Sequence, residues 1–235
     1  MNYYINVTNT CNMRCQYCNR LMDVAKFNED AVTCAQVKAM LDCVADHNIP
    51  IVKLKIGGGE PTLVPWLKEI VNIAVTHKNV GKVWVMTNGT VKGPDLPAKS
   101  RYKTSPVSSK ADIHVPFLVS PVDAGMEEGL VDDKYPCGTM KQCGRCFDRE
   151  GFTFCPLSGN MGKMLGMNVY NDKPVLQRNN NLCKHCPFAL SRKVRHNIFR
   201  FPDCPSKTWV AAIKRWNSGE TAPYPLPPWT GTGSN

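Results

Sequence analysis

The hydrophobic pattern in the N-terminal part of the chain alternates between two periods. Tyr3–Thr8, Ile51–Ile56 and Val83–Met86 are rich in β-branched and aromatic residues, which predicts three strands. Between them, Asp30–His47 and a second stretch carry apolar residues three and four positions apart, which predicts two helices. The stripes are Val37, Met40, Leu41 and Val44 in the first helix and Trp66, Leu67, Ile70, Val71 and Ala74 in the second. This order of strands and helices predicts parallel β/α units.

Each predicted strand is followed by residues that can carry chemistry. CNMRCQYC at 11–18 follows the first strand, GGGEPT at 57–62 follows the second and TNG at 87–89 follows the third. In parallel β/α folds the loops after the carboxyl ends of the strands lie on one rim and carry the active site. The pattern therefore predicts one functional rim built from these three loops.

The pattern is weaker in the rest of the chain. Lys92–Lys110 is rich in Lys, Pro and Ser and is predicted to be a loop or an ordered insertion, while Ile113–Val119, interrupted by a proline, is predicted to be an edge strand. Phe147–Phe154 predicts a hairpin that turns at its glycine, and Phe188–Ile198 predicts a short helix. The proline-rich tail after Trp216 is expected to be extended or disordered.

Cysteine is the most informative residue type in the composition, with 12 in 235 residues. No apolar run approaches the roughly 18 residues of a membrane span, and the N-terminus lacks the basic and apolar regions of a secretory signal. A cytoplasmic, reducing location is therefore expected, with no membrane partner. Dense cysteine in that setting indicates metal binding or catalysis rather than disulfides. Cys34 and Cys43, alone in a helical stretch, are expected to be buried structural residues.

The positive charge of the chain is concentrated near its C-terminus. The formal net charge is +10, and residues 173–215 carry ten Lys and Arg residues against one acid, Asp203. Aromatic residues lie in or near the same stretch. Such a block suggests an anionic partner, either a nucleotide or a nucleic acid. The alternative is a solvated basic face without a ligand.

The loop at 11–18 holds three thiols and no fourth. A structural zinc site needs four protein ligands, whereas three thiolates suit a metal centre that keeps one position free. With GGEPT at 58–62 and TNG at 87–89, the motif CxxxCxxC resembles the radical S-adenosylmethionine (radical SAM) enzymes. The resemblance covers residues 1 to about 120. It implies that Cys11, Cys15 and Cys18 hold a [4Fe–4S] cluster whose fourth iron binds S-adenosylmethionine.

The resemblance also implies contacts with the bound cofactor. Gly58, Gly59 and Glu60 would line its methionine end, the backbone around Tyr17 would meet the adenine, and Asn88 and Ser120 would contact the sugar or the carboxylate. A reductant such as flavodoxin or ferredoxin is implied as a partner. The fold class implied is α/β: a partial, truncated (β/α) radical SAM barrel with a small cysteine-rich C-terminal extension.

The C-terminal cysteines resemble the auxiliary-cluster regions known as SPASM and twitch domains. A hairpin followed by CxxC suggests that four thiols meet and hold a second [4Fe–4S] cluster. The expected set is Cys143, Cys155, Cys183 and Cys186, with Cys137 and Cys146 as alternates. A four-cysteine zinc site is the alternative. Cys204 is expected to be structural or a spare ligand, and His185 to be exposed.

Three segments are expected: a radical SAM core at 1–125, an auxiliary-cluster region at 126–215 and a proline-rich tail at 216–235. The expected function is cleavage of S-adenosylmethionine to a 5′-deoxyadenosyl radical that acts on a nucleoside, nucleotide or nucleic acid. A peptide-modifying radical SAM enzyme is the alternative, and a non-catalytic zinc or iron–sulfur module is a more distant one. The sequence leaves the reaction type open between isomerisation, oxidation and group transfer.

Overall fold

The fold was analysed in a computed structural model. It describes residues 1–16, 18–27, 31–104, 118–130, 137–174, 177–200, 204–220 and 229–230, without the side chains of 192, 193, 196 and 199. Among these residues, no helix is both long and apolar enough to cross a bilayer.

A six-stranded sheet organises the chain, in the order β4-β3-β2-β1-β5-β6. Its strands are β1 (Asn2–Thr8), β2 (Ile51–Gly58), β3 (Val80–Thr87), β4 (Ser100–Thr104), β5 (Arg145–Asp148) and β6 (Gly151–Thr153). All neighbouring strands pair in parallel except β5 and β6, which form an antiparallel hairpin. The molecule is therefore a mixed α/β protein with a mainly parallel sheet, as the sequence predicts.

Two helices cover one face of the sheet. Helices α1 (Cys34–Asp46) and α2 (Leu67–Thr76) bury the predicted stripes against inward residues of β1, β2 and β3. Helix α1 begins at Cys34 and not at Asp30, because Thr33 caps it: the Thr33 hydroxyl accepts from the Gln36 amide, and the Gln36 side chain accepts from the Thr33 amide. This reciprocal capping box satisfies donors that the helix itself leaves open.

The C-terminal half contains five further helices among the described residues. They are α3 (Gly138–Cys143), α4 (Ser158–Leu165), α5 (Asn180–Cys183), α6 (Arg192–Arg195) and α7 (Lys207–Asn217). A second apolar cluster, built mainly from 21–27, α4, α5 and α7, includes the fully buried Trp209. Asp123 holds the start of α7, since its carboxylate accepts from the Ser206 hydroxyl and from the amide and hydroxyl of Thr208.

The weak-pattern predictions have mixed outcomes. Lys92–Lys110, predicted to be a loop or an ordered insertion, contains β4, a mostly polar edge strand that pairs with β3. The predicted helix Phe188–Ile198 is broken into the 3-10 turn Pro187–Ala189, α6 and the 3-10 turn His196–Arg200. For the predicted strand Ile113–Val119, residues 113–117 lie outside the described residues, and Leu118 and Val119 are not in a strand.

The hairpin and the tail connect distant parts of the chain to the main sheet. The predicted hairpin is present, and its first strand, β5, pairs with β1. Trp216 belongs to α7, and Trp229 packs edge-on against Phe147 and Phe152, with ring centroids 5.1 and 5.5 Å away. Most of the predicted tail lies outside the described residues, so its extended or disordered form stays a prediction. The sheet thus continues across the predicted boundary at residue 125, and the domain division stays a prediction.

Candidate cofactor site

The three N-terminal cysteines line one cavity of about 440 Å³ at the carboxyl ends of β1, β2 and β3. All three thiols are partly exposed, and the loop turns between them because the Cys18 amide donates to the Cys15 carbonyl at 3.1 Å. The cavity is also lined by Tyr4, Met13, Asn19, Arg20, Met22, Gly58, Gly59, Met86, Thr87, Asn88, Gly138, Thr139, Gln142, Cys143, Pro156, Leu157, Phe188 and Arg195. The structure therefore brings the three predicted loops together on one rim.

Gly58 and Gly59 attach the end of β2 to the chain that leads into the cysteine loop. The Gly59 amide donates to the Thr8 carbonyl at 2.7 Å, and the Glu60 amide donates to the Thr10 carbonyl at 2.9 Å. A Cβ on Gly58 would lie 2.3 Å from the Thr8 carbonyl oxygen, and one on Gly59 would lie 2.2 Å from that of Thr10. The two glycines line the cavity, and their contact with the methionine end of a cofactor stays a prediction. The close approach that requires glycine here is to the chain that leads into the cysteine loop.

Glu60 lies under the rim and not in the cavity. Its side chain is completely buried and accepts four hydrogen bonds. These come from the Thr62 amide at 3.0 Å, the Thr62 hydroxyl at 2.7 Å, the Thr87 hydroxyl at 2.8 Å and the Asn88 amide at 2.7 Å. The carboxylate therefore fastens the glycine loop to the third loop. Its predicted contact with the ammonium group of a cofactor stays a prediction.

Asn88 connects the third loop to the cysteine loop. Its Nδ2 donates to Asn12 Oδ1 at 2.9 Å, while its Oδ1 accepts from the amide and hydroxyl of Thr90. Asn12 in turn donates to the Thr90 hydroxyl at 2.8 Å. Asn88 lines the cavity and also fixes Asn12, the residue directly after Cys11. Its contact with the sugar or the carboxylate of a cofactor stays a prediction.

A buried cation forms part of the cavity wall. The Arg20 guanidinium lies over the Tyr4 ring, 4.5 Å from its centroid, and donates to the Pro156 carbonyl. Burial lowers the pKa of Arg20, but Tyr4, Cys146 and Cys143 outweigh burial and leave the pKa above its ordinary value. Burial also raises the pKa of the Cys18 thiol. The sequence prediction missed Arg20 and Tyr4, although Tyr4 belongs to the alternate face of a predicted strand.

Four C-terminal thiols line a second, much smaller cavity of about 10 Å³: Cys137, Cys155, Cys183 and Cys186. Burial raises the pKa of Cys155 to about 11, and Cys137 adds to the rise. Burial also raises the pKa of Cys186 well above its ordinary value, with contributions from Cys155, Cys183 and Cys137. A bound metal is the usual reason for such crowded, buried thiols to become thiolates.

This set differs by one member from the expected one. The expected ligand set includes Cys143, but this residue lines the larger cavity, where its sulfur lies 3.5 Å from Lys55 Nζ. Cys137, named as an alternate, takes its place in the small cavity. The other alternate, Cys146, is buried on β5 and lines neither cavity among the described residues.

Within the described part of the chain, no three His, Cys, Asp or Glu side chains converge closely enough to hold a single metal ion. The two thiol sets are therefore defined by the cavities that they line. Thiolates that surround a four-iron cube stand farther apart than the ligands of one ion do. The larger cavity offers three soft donors from one loop, which suits a cluster with an open corner.

Other predicted contacts lie elsewhere. Tyr17 is outside the described residues. Ser120 is fully buried and does not line the cavity; its hydroxyl lies 2.9 Å from Nδ1 of His185, so it fastens residues 118–126 to the CxxC turn. His185 itself is half-buried rather than exposed, and burial lowers its pKa. Cys204 is half-buried at the edge of the second apolar cluster.

The described side chains of the basic block at 173–215 have different surroundings. Arg195 lines the larger cavity, whereas Arg215 donates to the Met164 carbonyl and Arg178 to the Asn180 side chain. The side chains of Arg192 and Lys193 are outside the described set. A role of this block in binding an anion stays a prediction.

Part of the chain is similar to a known protein family. Residues 5–99 match the model of the Radical SAM superfamily. GTP 3′,8-cyclase from Chlorobaculum tepidum is 31% identical over 94 residues, which cover 40% of this chain and 27% of that protein. The aligned part thus spans about a quarter of the relative's length. The N-terminal part of the chain, with its three motifs, is thus similar to the Radical SAM superfamily.

Two solved structures resemble the whole fold more distantly. BtrN in complex with AdoMet and 2-DOIA has a TM-score of 0.43 at 13% identity, over 93% of this chain and 87% of that chain. BtrN in an open conformation has a TM-score of 0.42 at 12% identity, over 95% and 88%. Similarities of this size say nothing about substrate or mechanism.

Proposed function

We propose that this protein is a radical SAM enzyme that acts on a nucleotide-class substrate. One observation carries the first part of the proposal: Cys11, Cys15 and Cys18 line the same cavity as the glycines after β2 and Asn88 after β3. The match of residues 5–99 to the Radical SAM superfamily supports the same assignment. When bound there, a [4Fe–4S] cluster and S-adenosylmethionine supply a 5′-deoxyadenosyl radical that abstracts hydrogen from a substrate.

The residues around the thiols keep this site in place. Gly58 and Gly59 allow β2 to hold the start of the cysteine loop, and Glu60 and Asn88 fasten the other two loops to it. Met22, Met86, Leu157 and Phe188 give the cavity apolar walls. Apolar walls limit water around a reactive species, which prevents side reactions.

A second cluster in the small cavity is part of the proposal, with Cys137, Cys155, Cys183 and Cys186 as its ligands. The support is that all four thiols line one cavity and that three of them influence the pKa of the fourth. Such a cluster would staple a region of short helices with little regular structure of its own. A four-cysteine zinc site is the alternative, and metal analysis of protein that lacks the three N-terminal thiols separates the two: iron without zinc in that variant would exclude the zinc site.

The substrate class rests on the curated relative, whose name gives GTP as its substrate. The nucleotide assignment therefore needs its own test, separate from the test for radical chemistry. Reconstituted enzyme is incubated with S-adenosylmethionine, a reductant and a panel of nucleotides, and substrate loss is followed by mass spectrometry. Turnover of a small peptide and no nucleotide would favour the peptide-modifying alternative.

The test of the radical chemistry is release of 5′-deoxyadenosine. Anaerobically reconstituted protein with dithionite or reduced flavodoxin should release it from S-adenosylmethionine, and Cys15→Ala should abolish release. Cys34→Ala, which removes a thiol on α1 outside the cavity, is the matched control and should behave like the parent. No release from the parent would support a non-catalytic module, and full activity of Cys15→Ala would refute the ligand assignment.

Iron counting separates the two clusters. Cys11→Ala/Cys15→Ala/Cys18→Ala protein should keep one [4Fe–4S] cluster, and adding Cys137→Ala to it should remove the second. Cys143 lines the first cavity beside Lys55 and not the small cavity. We therefore expect Cys143→Ala to keep both clusters. Loss of the first cluster in Cys143→Ala would mean that Cys143 occupies the fourth iron, which would contradict the open corner.

A further inference from the structure

A row of paired residues crosses the face of the sheet opposite α1 and α2. Cys146, Tyr4, Lys55, Trp84 and Arg101 are direct partners on β5, β1, β2, β3 and β4. Side chains alternate between the two faces of a strand. Since Leu54, Ile56, Val83 and Val85 pack against the helices, the row lies on the other face.

Four cations surround one tryptophan on this face. The Trp84 ring centroid is 4.0 Å from Lys53 Nζ, 4.4 Å from Arg101 Cζ, 5.4 Å from Lys103 Nζ and 5.9 Å from Lys55 Nζ. A cation is attracted to an aromatic face within about 6 Å. One ring does not neutralise four like charges. We refer to Lys53, Lys55, Arg101 and Lys103 as the basic inner face.

No carboxylate balances the basic inner face among the residues that the structure describes. The ion pairs found there join Lys38 and His77 to Asp42 and Lys163 to Glu150. Lys55 is nearly buried and its nearest polar partner is the sulfur of Cys143, at 3.5 Å. A cation that is kept out of water without a carboxylate is costly, so burial of Lys55 favours an anion beside it. The other three cations are partly or fully exposed and are accessible to the same anion.

The basic inner face adjoins the cofactor cavity. Lys55 is paired with Tyr4 and Lys103 with Met86, and both Tyr4 and Met86 line the cavity. Cys143, beside Lys55, lines it as well. A molecule whose anionic group is held by these cations can therefore extend into the cavity that the three thiols line.

We propose that the basic inner face binds the polyphosphate of the substrate. This inference rests on the proposed function and names the group by which its substrate is held. The cations come from β2 and β4, and their charged groups converge within 5.9 Å of the Trp84 ring centroid. One phosphate carries about −1.5 to −2 charges and cannot balance four cations, whereas a triphosphate can. The four cations cover two positions on each strand, an area that suits a small molecule better than a nucleic acid strand.

The test measures binding separately from catalysis. Holoprotein is titrated anaerobically with tripolyphosphate, with GTP and with a single-stranded oligonucleotide, using calorimetry without reductant. Lys53→Gln/Arg101→Gln/Lys103→Gln removes three cations that are partly or fully exposed. We expect at least a tenfold loss of affinity for tripolyphosphate and GTP in this variant.

The matched control removes the same charge from the helical side. Lys38→Gln/Lys68→Gln/Lys78→Gln changes three exposed lysines on α1, on α2 and just after α2, and should shift affinity by less than threefold. Tripolyphosphate should also change tryptophan emission, because it draws Lys53 and Arg101 away from Trp84. Trp84→Phe should abolish that optical change while calorimetric binding persists.

Three results would overturn the proposal. Equal losses in the two triple variants would mean that binding follows net charge alone. Binding of the oligonucleotide without tripolyphosphate would identify a nucleic acid surface instead. No loss in the Lys53/Arg101/Lys103 variant would place the anion elsewhere. The proposed radical chemistry is judged by 5′-deoxyadenosine release from the parent, so the two proposals can fail independently.

Discussion

Replacing Glu60 by glutamine removes the charge that joins the glycine loop to the third loop. Three donors face Oε1, the amide and hydroxyl of Thr62 and the hydroxyl of Thr87, and the Asn88 amide faces Oε2. The glutamine oxygen would take the Oε1 position, where it can serve three donors. Its NH2 group would then oppose the Asn88 amide, donor against donor, in a fully buried place.

The cost follows from that geometry. A hydrogen bond to a charged group contributes about 1.5–3 kcal/mol, and a buried donor without an acceptor costs about 1–3 kcal/mol. Burying a neutral amide instead of a charge offsets part of this. We expect the free energy of unfolding to fall by about 2–4 kcal/mol. For a chain of this size that is a drop of about 4–16 °C in Tm.

Thermal and urea unfolding of matched apo-protein samples measure this difference. Glu128→Gln, which makes the same chemical change at an exposed position, is the control and should leave Tm within about 1 °C. A Glu60→Gln protein as stable as the parent would refute the positioning role. Loss of S-adenosylmethionine binding without loss of stability would instead assign Glu60 a direct contact with the cofactor.

Three further changes probe the fold around the site. Gly59→Ala should destabilise by about 1–3 kcal/mol, because its Cβ meets the Thr10 carbonyl oxygen at 2.2 Å, whereas Gly138→Ala meets no atom within 4 Å and should not. Trp229→Ala should cost about 3–5 kcal/mol in urea unfolding, since this ring is 6% exposed among other aromatic rings. Asp123→Asn should lower stability at neutral pH by about 1–3 kcal/mol, and the difference from the parent should shrink at acid pH.

The pH dependence of that last difference has a definite sign. Burial raises the pKa of Asp123, but its hydrogen bonds to Ser206 and Thr208 outweigh burial, and the pKa lies below its ordinary value. A carboxylate with a lowered pKa stabilises fully above the unfolded pKa, about 3.9, and the stabilisation is lost as the pH falls through the folded pKa. A parent-minus-variant difference that stays constant from pH 6 to pH 2 would contradict this assignment. For Trp229, a cost below about 1 kcal/mol would show that the C-terminal segment is not part of the core.

The strands, the helices and the common rim of the three loops could be predicted from the sequence alone. Local periodicity predicts the strands β1, β2 and β3 and the buried stripes of α1 and α2. The reason is that residues on one face of a strand or helix recur at a fixed interval along the chain. The position of the cysteine, glycine and Asn88 loops on one rim follows from the parallel order of the strands. Local spacing was therefore enough to bring Cys11, Cys15 and Cys18 to one cavity.

Which side chains from remote parts of the sequence come into contact could be seen only in the tertiary structure. Spacing along the chain does not distinguish Cys137 from Cys143 as the partner of Cys155, since both lie near the hairpin and only the packing of α3 separates them. Likewise Lys55 and Arg101 read as ordinary polar positions until β2, β3 and β4 are paired in register. Contacts across a sheet depend on pairing between remote segments, and one residue of register decides which face a side chain occupies.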